Sequence, residues 1–320
     1  MSTDYPDALP SEATQILSDG VSLFVRCWGD PAQPPLVLVH GYPDNHQVWR
    51  PVAEQLAARF YVIAYDVRGA GHSDAPAALA AYSLAQLNRD LAAVTKALIP
   101  GRDFHLAGHD WGSIQSWEAL TSEPLASRIL SYSSISGPCL DHIGYWMRER
   151  LGSRHWFERR QALRQVVSSW YMLWFQVPVI PPLAWRVALG RLWPLYLAQR
   201  EGIEEPMSSA SRSRDGRHGV KLYRANILER LFKPSPRYAR APVQLIVPTE
   251  DNYVGTQLFD DLQRWVPALY RRNIAAGHWV LVTDAEKMAT WIGDFAAAVE
   301  AGEVAGRFAA HRVADYADSA

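Results

Sequence analysis

The chain predicts an α/β fold, a mostly parallel sheet with helices on both faces and a helical lid inserted into it. Three observations carry that reading. Short continuous apolar runs, as strands buried on both faces require, alternate with stretches of helical spacing as far as Ile135. The rhythm stops between Cys139 and Arg240, where helical patterns broken by Pro and Gly follow one another, and resumes at Pro242. The loops that carry Gly, His and Asp each fall at the carboxyl end of an expected strand, the edge along which such sheets hold their sites. The expected organisation is residues 1–138 for the first part of the core, 139–240 for the lid, 241–300 for the second part of the core and 301–320 for a tail.

Gln15 to Leu17 and Val21 to Trp28 flank Asp19-Gly20, a two-residue hairpin signal, so an antiparallel hairpin opens the fold. Pro35 to Val39 is a buried strand ending in His40-Gly41-Tyr42-Pro43-Asp44, and Val48 to Phe60 has helical spacing. Tyr61 to Tyr65 is the next strand and runs into a glycine-rich turn, Asp66 to Asp74. Leu84 to Leu98 reads as an amphipathic helix that Pro100-Gly101 ends. Phe104 to Ala107 is a strand, Ser113 to Leu120 a helix and Ile129 to Ile135 a strand. Within the lid, Glu201 to Gly219 is rich in Ser, Arg and Gly and is expected to be an exposed loop. Pro242 to Val247 restores the sheet, followed by a helix from about Thr256 to Trp265 and a last strand near Arg272 to Ile274. Asp284 is expected to cap a helix running to about Glu300, and the Ala-rich tail has helical character.

Composition narrows the class. Apolar residues make up 48% and charged residues 20%, which is a globular balance, and a net charge of −1 argues against a general nucleic-acid binder. With only Cys27 and Cys139 there is no disulfide framework, and a reducing, cytoplasmic compartment is expected. Met1 to Ser11 has neither a basic n-region nor an apolar h-region, so no signal peptide is read there. Gln165 to Trp185 is 21 residues without a charge, long enough to span a bilayer. Ser168, Ser169 and Gln176 are polar, however, and Pro178, Pro181 and Pro182 interrupt it, so a buried helix and a proline-rich turn are expected. Cys139 to Arg240 holds 18 Lys and Arg against eight Asp and Glu, a balance of +10 where the rest carries −11, and six of the 13 tryptophans. A solvated outer face is the plainer account of this charge and a weak membrane-surface association the sharper one. A homodimer is a further expectation.

Phe104 to Ser113 concentrates the chemistry. A strand, a Gly-x-x-x-Gly turn and a helix place Asp110 at the centre of a crossing that only small residues permit. A carboxylate at a helix N-terminus stays ionised and is able to displace a leaving group from a saturated carbon, whereas a serine there would attack a carbonyl. The plainer account is a loop aspartate capping the helix at Ser113.

His40-Gly41-Tyr42-Pro43, the turn from Asp66 to Ser73, Gly108-His109-Asp110-Trp111-Gly112 and Gly277-His278-Trp279 together resemble the epoxide hydrolase branch of the α/β-hydrolase family. The resemblance covers roughly residues 15 to 300. Within that branch the chain is similar to the hydrolase half of actinobacterial proteins in which an epoxide hydrolase is fused to a short-chain dehydrogenase. It has no second, dinucleotide-type glycine loop, and neither a cofactor nor a metal is expected.

The resemblance implies that a small hydrophobic epoxide and water yield a vicinal diol through an ester on Asp110. In this fold the orienting acid follows a late strand and the base follows the last one, which implies Asp251 and His278. Glu250 is the neighbouring alternative acid, and His278 seen alone also reads as a satisfied histidine near the surface. The backbone N–H groups of Tyr42 and Trp111 are implied as an oxyanion hole, with a cis Tyr42-Pro43 bond. Trp170 to Pro178 and Leu222 to Asn226 match the family's tyrosine segments, implying Tyr171 and Tyr223 as proton donors to the opening ring, although each is also an ordinary lid-core aromatic. Trp170, Trp174, Phe175 and Trp279 are implied to line the substrate pocket.

Two other enzymes fit the same Asp and His: a haloalkane dehalogenase and a β-lactone-processing relative. A halide leaves without a proton and needs N–H donors, which Tyr42 lacks in its side chain but Trp170 or Trp174 has. A hydrolase fold retired to ligand binding is the reading of another class, against which every catalytic position is filled with a competent residue.

Overall fold

The computed structural model describes residues 11–203 and 210–314. The expectation for the first ten residues, the middle of Glu201 to Gly219 and the last six residues of the tail lie outside the described residues.

Eight strands form one sheet: β1 (Ser11–Ser18), β2 (Val21–Trp28), β3 (Pro35–Val39), β4 (Tyr61–Tyr65), β5 (Phe104–His109), β6 (Ile129–Ile135), β7 (Val243–Pro248) and β8 (Leu269–Ile274). Their order is β1-β2-β4-β3-β5-β6-β7-β8. The first two strands are antiparallel to their neighbours and the other six run parallel. The opening hairpin turns on Asp19 at φ 46° and Gly20 at φ 78°, as expected of a two-residue turn.

Alternation along the central strands sorts the core into two layers. Val37, Val39, Ile63 and Tyr65 face one side, against Leu87 and Leu91 of α2 (Leu84–Leu98) and Trp117 of α3 (Trp111–Thr121). Leu36, Leu38, Val62 and Ala64 face the other, against Val52 and Leu56 of α1 (Arg50–Leu56) and Met288 and Ile292 of a late helix (Ala285–Glu300). Both faces of the sheet are therefore covered, which is why β3, β4 and β5 are buried along their whole length.

Between β6 and β7 the chain builds α4 (Leu140–Gly152), α5 (Trp156–Ser168), α6 (Trp170–Trp174), α7 (Ile180–Ala184), a π-turn at Trp185–Leu189, α8 (Gly190–Glu201) and α9 (Arg212–Phe232). After β8 come α10 (Val280–Thr283), α11 (Ala285–Glu300) and α12 (Val304–Arg307).

Five sequence expectations need correction. The helix expected over Val48 to Phe60 is a 3-10 turn at His46–Trp49 followed by α1, because Pro51 sits in the first turn where a helix tolerates it. Thr256 to Trp265 forms two separate 3-10 turns, Thr256–Phe259 and Leu262–Arg264, divided at Asp260 and Asp261, residues that disfavour a helix interior. The uncharged stretch from Gln165 is not one buried helix. It is the end of α5 with α6 and α7, largely exposed, and Pro181 and Pro182 open α7 instead of breaking it. The loop expected through Gly219 is helical from Arg212, with Asp215, Gly216, Gly219 and Val220 buried. Gly219 is there for contact: a Cβ on it would sit 2.4 Å from the ring of Tyr42. Asp284 does stand at the start of α11 but bonds no backbone amide, and its carboxylate accepts from Thr283 Oγ1 instead. Among the described residues no helix is long and apolar enough to cross a membrane.

Candidate active site

Asp110 occupies the crossing between β5 and α3 at φ 52°, ψ −123°, a backbone conformation an L-residue adopts only when its surroundings enforce it. They do so by proximity. A Cβ on Gly112 would fall 2.0 Å from the carbonyl oxygen of Val39, so strand and helix approach each other as only glycine allows. The expected alternative, a helix-capping aspartate, is not what this side chain does, since it makes no capping bond. Its Oδ1 accepts instead from the backbone N–H of Tyr42 at 2.7 Å, across the sheet edge. The Tyr42-Pro43 bond is cis, and the Trp111 amide is the first of α3, among the donors that a helix start leaves without an intrahelical partner.

The loops after β7 and β8 bring the other two residues to the same point. His278 Nδ1 lies 2.8 Å from Asp251 Oδ2 and His278 Nε2 lies 3.6 Å from Asp110 Oδ2. The second oxygen of Asp251 accepts from the amides of Tyr253 and Val254 at 2.8 and 3.0 Å, while Glu250 is exposed, which separates the two acids that sequence left side by side. Burial alone would depress the His278 imidazole. The flanking carboxylates of Asp251 and Asp110 outweigh it and hold the ring well above the ordinary histidine range. Asp251 shows the reverse: burial would raise it, and the charge and hydrogen bond of His278 bring it below the usual carboxylate value.

Tyr171 on α6 and Tyr223 on α9 face the crossing from above, their rings 6.3 Å apart and nearly perpendicular. Burial, reinforced by the Asp110 charge, pushes both phenols up, so both keep their protons. Tyr223 is further held by Trp111, ring to ring at 4.8 Å.

Two cavities meet at Asp110, and both are also lined by Tyr171, Tyr223 and Tyr253. One, of about 740 Å³ counting its open side, runs between apolar side chains such as Ile143, Met147, Ile227 and Leu258. The other, about 1720 Å³ counting its open mouth, is walled by Trp170, Trp174, Phe175, Trp193 and Trp279, so all four expected pocket aromatics line this arm. Among the described residues no group of three or more His, Cys, Asp or Glu is placed to hold a metal ion.

Several neighbours of the site were given no role by the sequence, although Asp44 and His109 lie within stretches it singled out. Glu201, at the end of α8, accepts from the His278 amide at 3.1 Å. Tyr253 packs on His278 at 4.9 Å between centroids and shares a hydrogen bond with Tyr196. Asp44 accepts from the Trp279 indole at 2.9 Å, and burial pushes it to about 6. His109 Nε2 donates to the His278 carbonyl at 2.8 Å, and burial lowers that imidazole to about 4, so it is a neutral donor. Each depends on elements far apart in the chain.

A sheet of this order with a carboxylate at the crossing and a histidine after the last strand is the arrangement of an α/β hydrolase. The family model described as alpha/beta hydrolase fold matches residues 34–285, and the chain belongs to that family. Among curated proteins it is similar to the probable oxidoreductase EphD of Mycobacterium tuberculosis, 39% identical over 291 residues that cover 87% of this chain and 48% of that protein. It is also similar to epoxide hydrolase 3 of Xenopus tropicalis, 25% identical over 86% of this chain and 75% of that protein. The chain spans about half the length of the EphD relatives it matches. Among solved structures, an epoxide hydrolase of Bacillus megaterium with an inhibitor superposes at a TM-score of 0.72 with 20% identity, over 88% of this chain and 99% of that one. An epoxide hydrolase of Vigna radiata gives 0.71 with 21% identity, over 89% and 97%. At that identity the likeness shows the fold.

Proposed function

We propose that this chain hydrolyses a hydrophobic epoxide to a vicinal diol through an ester on Asp110. The observation that carries the reading is the line Asp110, His278, Asp251 with two protonated phenols, Tyr171 and Tyr223, over the same cavity. The relatives named epoxide hydrolase support it.

With Oδ1 engaged by the Tyr42 amide, Oδ2 of Asp110 attacks a ring carbon; the C–O bond of the ring breaks and its oxygen takes the proton of Tyr171 or Tyr223. An alkoxide is a poor leaving group in an apolar pocket, so this proton is what makes opening feasible. The new ester is uncharged, which removes one of the two carboxylates that hold the proton on His278. The imidazolium then returns a proton to the phenolate and becomes a base. Water gives a proton to His278 Nε2 and attacks the ester carbonyl, whose oxygen is stabilised by the Tyr42 and Trp111 amides. Collapse expels the diol with the remaining water proton, and Asp110 is a carboxylate again.

The same machinery with a halide leaving group is a second reading. It draws on Trp193, whose ring lines the wide arm and whose buried indole N–H has no hydrogen-bond partner among the described residues. One experiment separates the two. His278→Gln incubated with an epoxide and weighed intact gains the whole epoxide mass if the ester forms and cannot be hydrolysed. An adduct from a bromoalkane and none from epoxides assigns the dehalogenase, and no adduct from either removes Asp110 as nucleophile.

A further inference from the structure

The helical insertion presents an outer surface unlike the rest of the molecule. Of the 20 large hydrophobic side chains exposed on the described residues, 15 lie between Leu151 and Leu195, on α4 to α8 and their connections. On α5 the order is inverted relative to a helix that packs on a core. Trp156, Leu163 and Val167, with Arg160, share one side at spacings of four, three and four residues and are all exposed, while the buried Ala162 and Gln165 lie on the opposite side. Trp170, Leu173, Val179, Ile180, Val187 and Leu195 continue the apolar surface, each between 57% and 67% exposed.

Charge is equally one-sided. From Ser153 to Gly202 there are seven arginines and two acids. Arg154, Arg159, Arg160, Arg164, Arg186, Arg191 and Arg200 are all exposed, and among the described residues none is ion-paired. Of the acids, Glu201 is turned inward to the His278 amide. The Arg160 guanidinium lies over the Trp156 ring at 5.9 Å, so cation and aromatic occupy the same spot. A second copy of this face would set seven arginines against seven arginines. An anionic bilayer matches it in both respects, taking apolar side chains into the acyl boundary while arginines stay among the headgroups. The wide arm of the cavity opens here: exposed Trp170, Leu192 and Arg200 form its rim.

We propose that this face docks on anionic phospholipid bilayers, with the mouth of the active-site cavity against the lipid. A substrate dissolved in acyl chains then enters the wide arm without crossing water. The docking itself does not depend on the epoxide reading, and the vesicle binding that tests it uses no epoxide.

The full chain is floated with vesicles of phosphatidylcholine mixed with phosphatidylglycerol and with vesicles of phosphatidylcholine alone. Binding is expected to the mixed vesicles, weakening as salt rises. Trp156→Ser with Leu163→Ser and Val167→Ser, and separately Arg160→Glu with Arg164→Glu, are each expected to weaken it roughly tenfold or more. Both variants change exposed side chains only, and they should retain the wild-type melting temperature and far-ultraviolet spectrum. The proposal is overturned if the wild type floats with neither vesicle, if both variants bind as the wild type does, or if ultracentrifugation gives a dimer that these substitutions dissociate, which assigns the face to a second copy.

Discussion

His278 stands between two carboxylates, and that placement sets what it is able to do and when. Its imidazole is held above the ordinary histidine range by them, and in the proposed mechanism it becomes a base once Asp110 loses its charge to the ester. Asp110→Asn mimics that neutral state. The His278 ring is therefore expected to titrate at lower pH in the variant than in the wild type, as followed by NMR of the ring protons; an unchanged midpoint would remove the coupling. The same charge affects stability. A raised folded-state value means the contribution is complete below the unfolded histidine range and is lost as pH rises through the folded midpoint. For the two phenols, Tyr171→Phe with Tyr223→Phe is expected to lower kcat for epoxide opening by about 10²-fold or more while leaving the far-ultraviolet spectrum unchanged. Full turnover in the double variant would exclude them as acids.

At the scale of elements, α9 binds the insertion to the core. Asp215 accepts from the Gly71 amide at 3.0 Å and from Ser211 Oγ at 2.6 Å, Arg214 donates to the carbonyls of Gly71 and Ser73, and Asn226 bonds Leu84 N and Tyr82 O. Burial pushes Asp215 up to about 7. A carboxyl raised on folding binds its proton more tightly in the native state, so its contribution is present at low pH and is lost between about 4 and 7. Asp215→Asn is accordingly expected to raise Tm at pH 8 relative to the wild type and to do so less at pH 5. The scale is roughly 2–4 °C per kcal/mol of relieved charge burial. A calorimetric Tm difference that is equal at both pH values would mean Asp215 does not titrate in this range.

For the whole molecule, the proposed function makes the position of Asp110, where two cavity arms meet, the determinant of substrate shape. An epoxide with an apolar substituent on each ring carbon is able to fill both arms; a terminal one leaves an arm empty. Ile143→Trp, which fills the smaller arm, is expected to lower kcat/KM for a long-chain internal epoxide by about tenfold or more and to leave a short terminal epoxide near the wild-type value. Equal losses on both substrates would show that the smaller arm does not hold substrate.

Legibility in the sequence followed the range of the interactions. Pro35–Val39, Tyr61–Tyr65, Leu84–Leu98 and Ile129–Ile135 were readable to the residue because continuous apolar runs or a strong helical stripe are local consequences of burial. The sharp turn at Asp110 was readable for a similar reason, since two glycines four residues apart leave few alternatives. Glycines at 216 and 219 misled, because a glycine that opens a loop and one that admits a neighbouring ring look identical until the ring's position is known. Asp251 and Glu250 are chemically alike and adjacent; the resemblance favoured Asp251, and the approach of His278 from another strand puts Asp251 against the ring. The sequence by itself determined the doubly covered sheet and the choice of candidate side chains at its edge. Tertiary packing alone decided that Glu201, Tyr253 and Asp44 stand around them and that the insertion turns tryptophans and arginines outward, because burial at those positions is set by contacts between elements and by no local pattern.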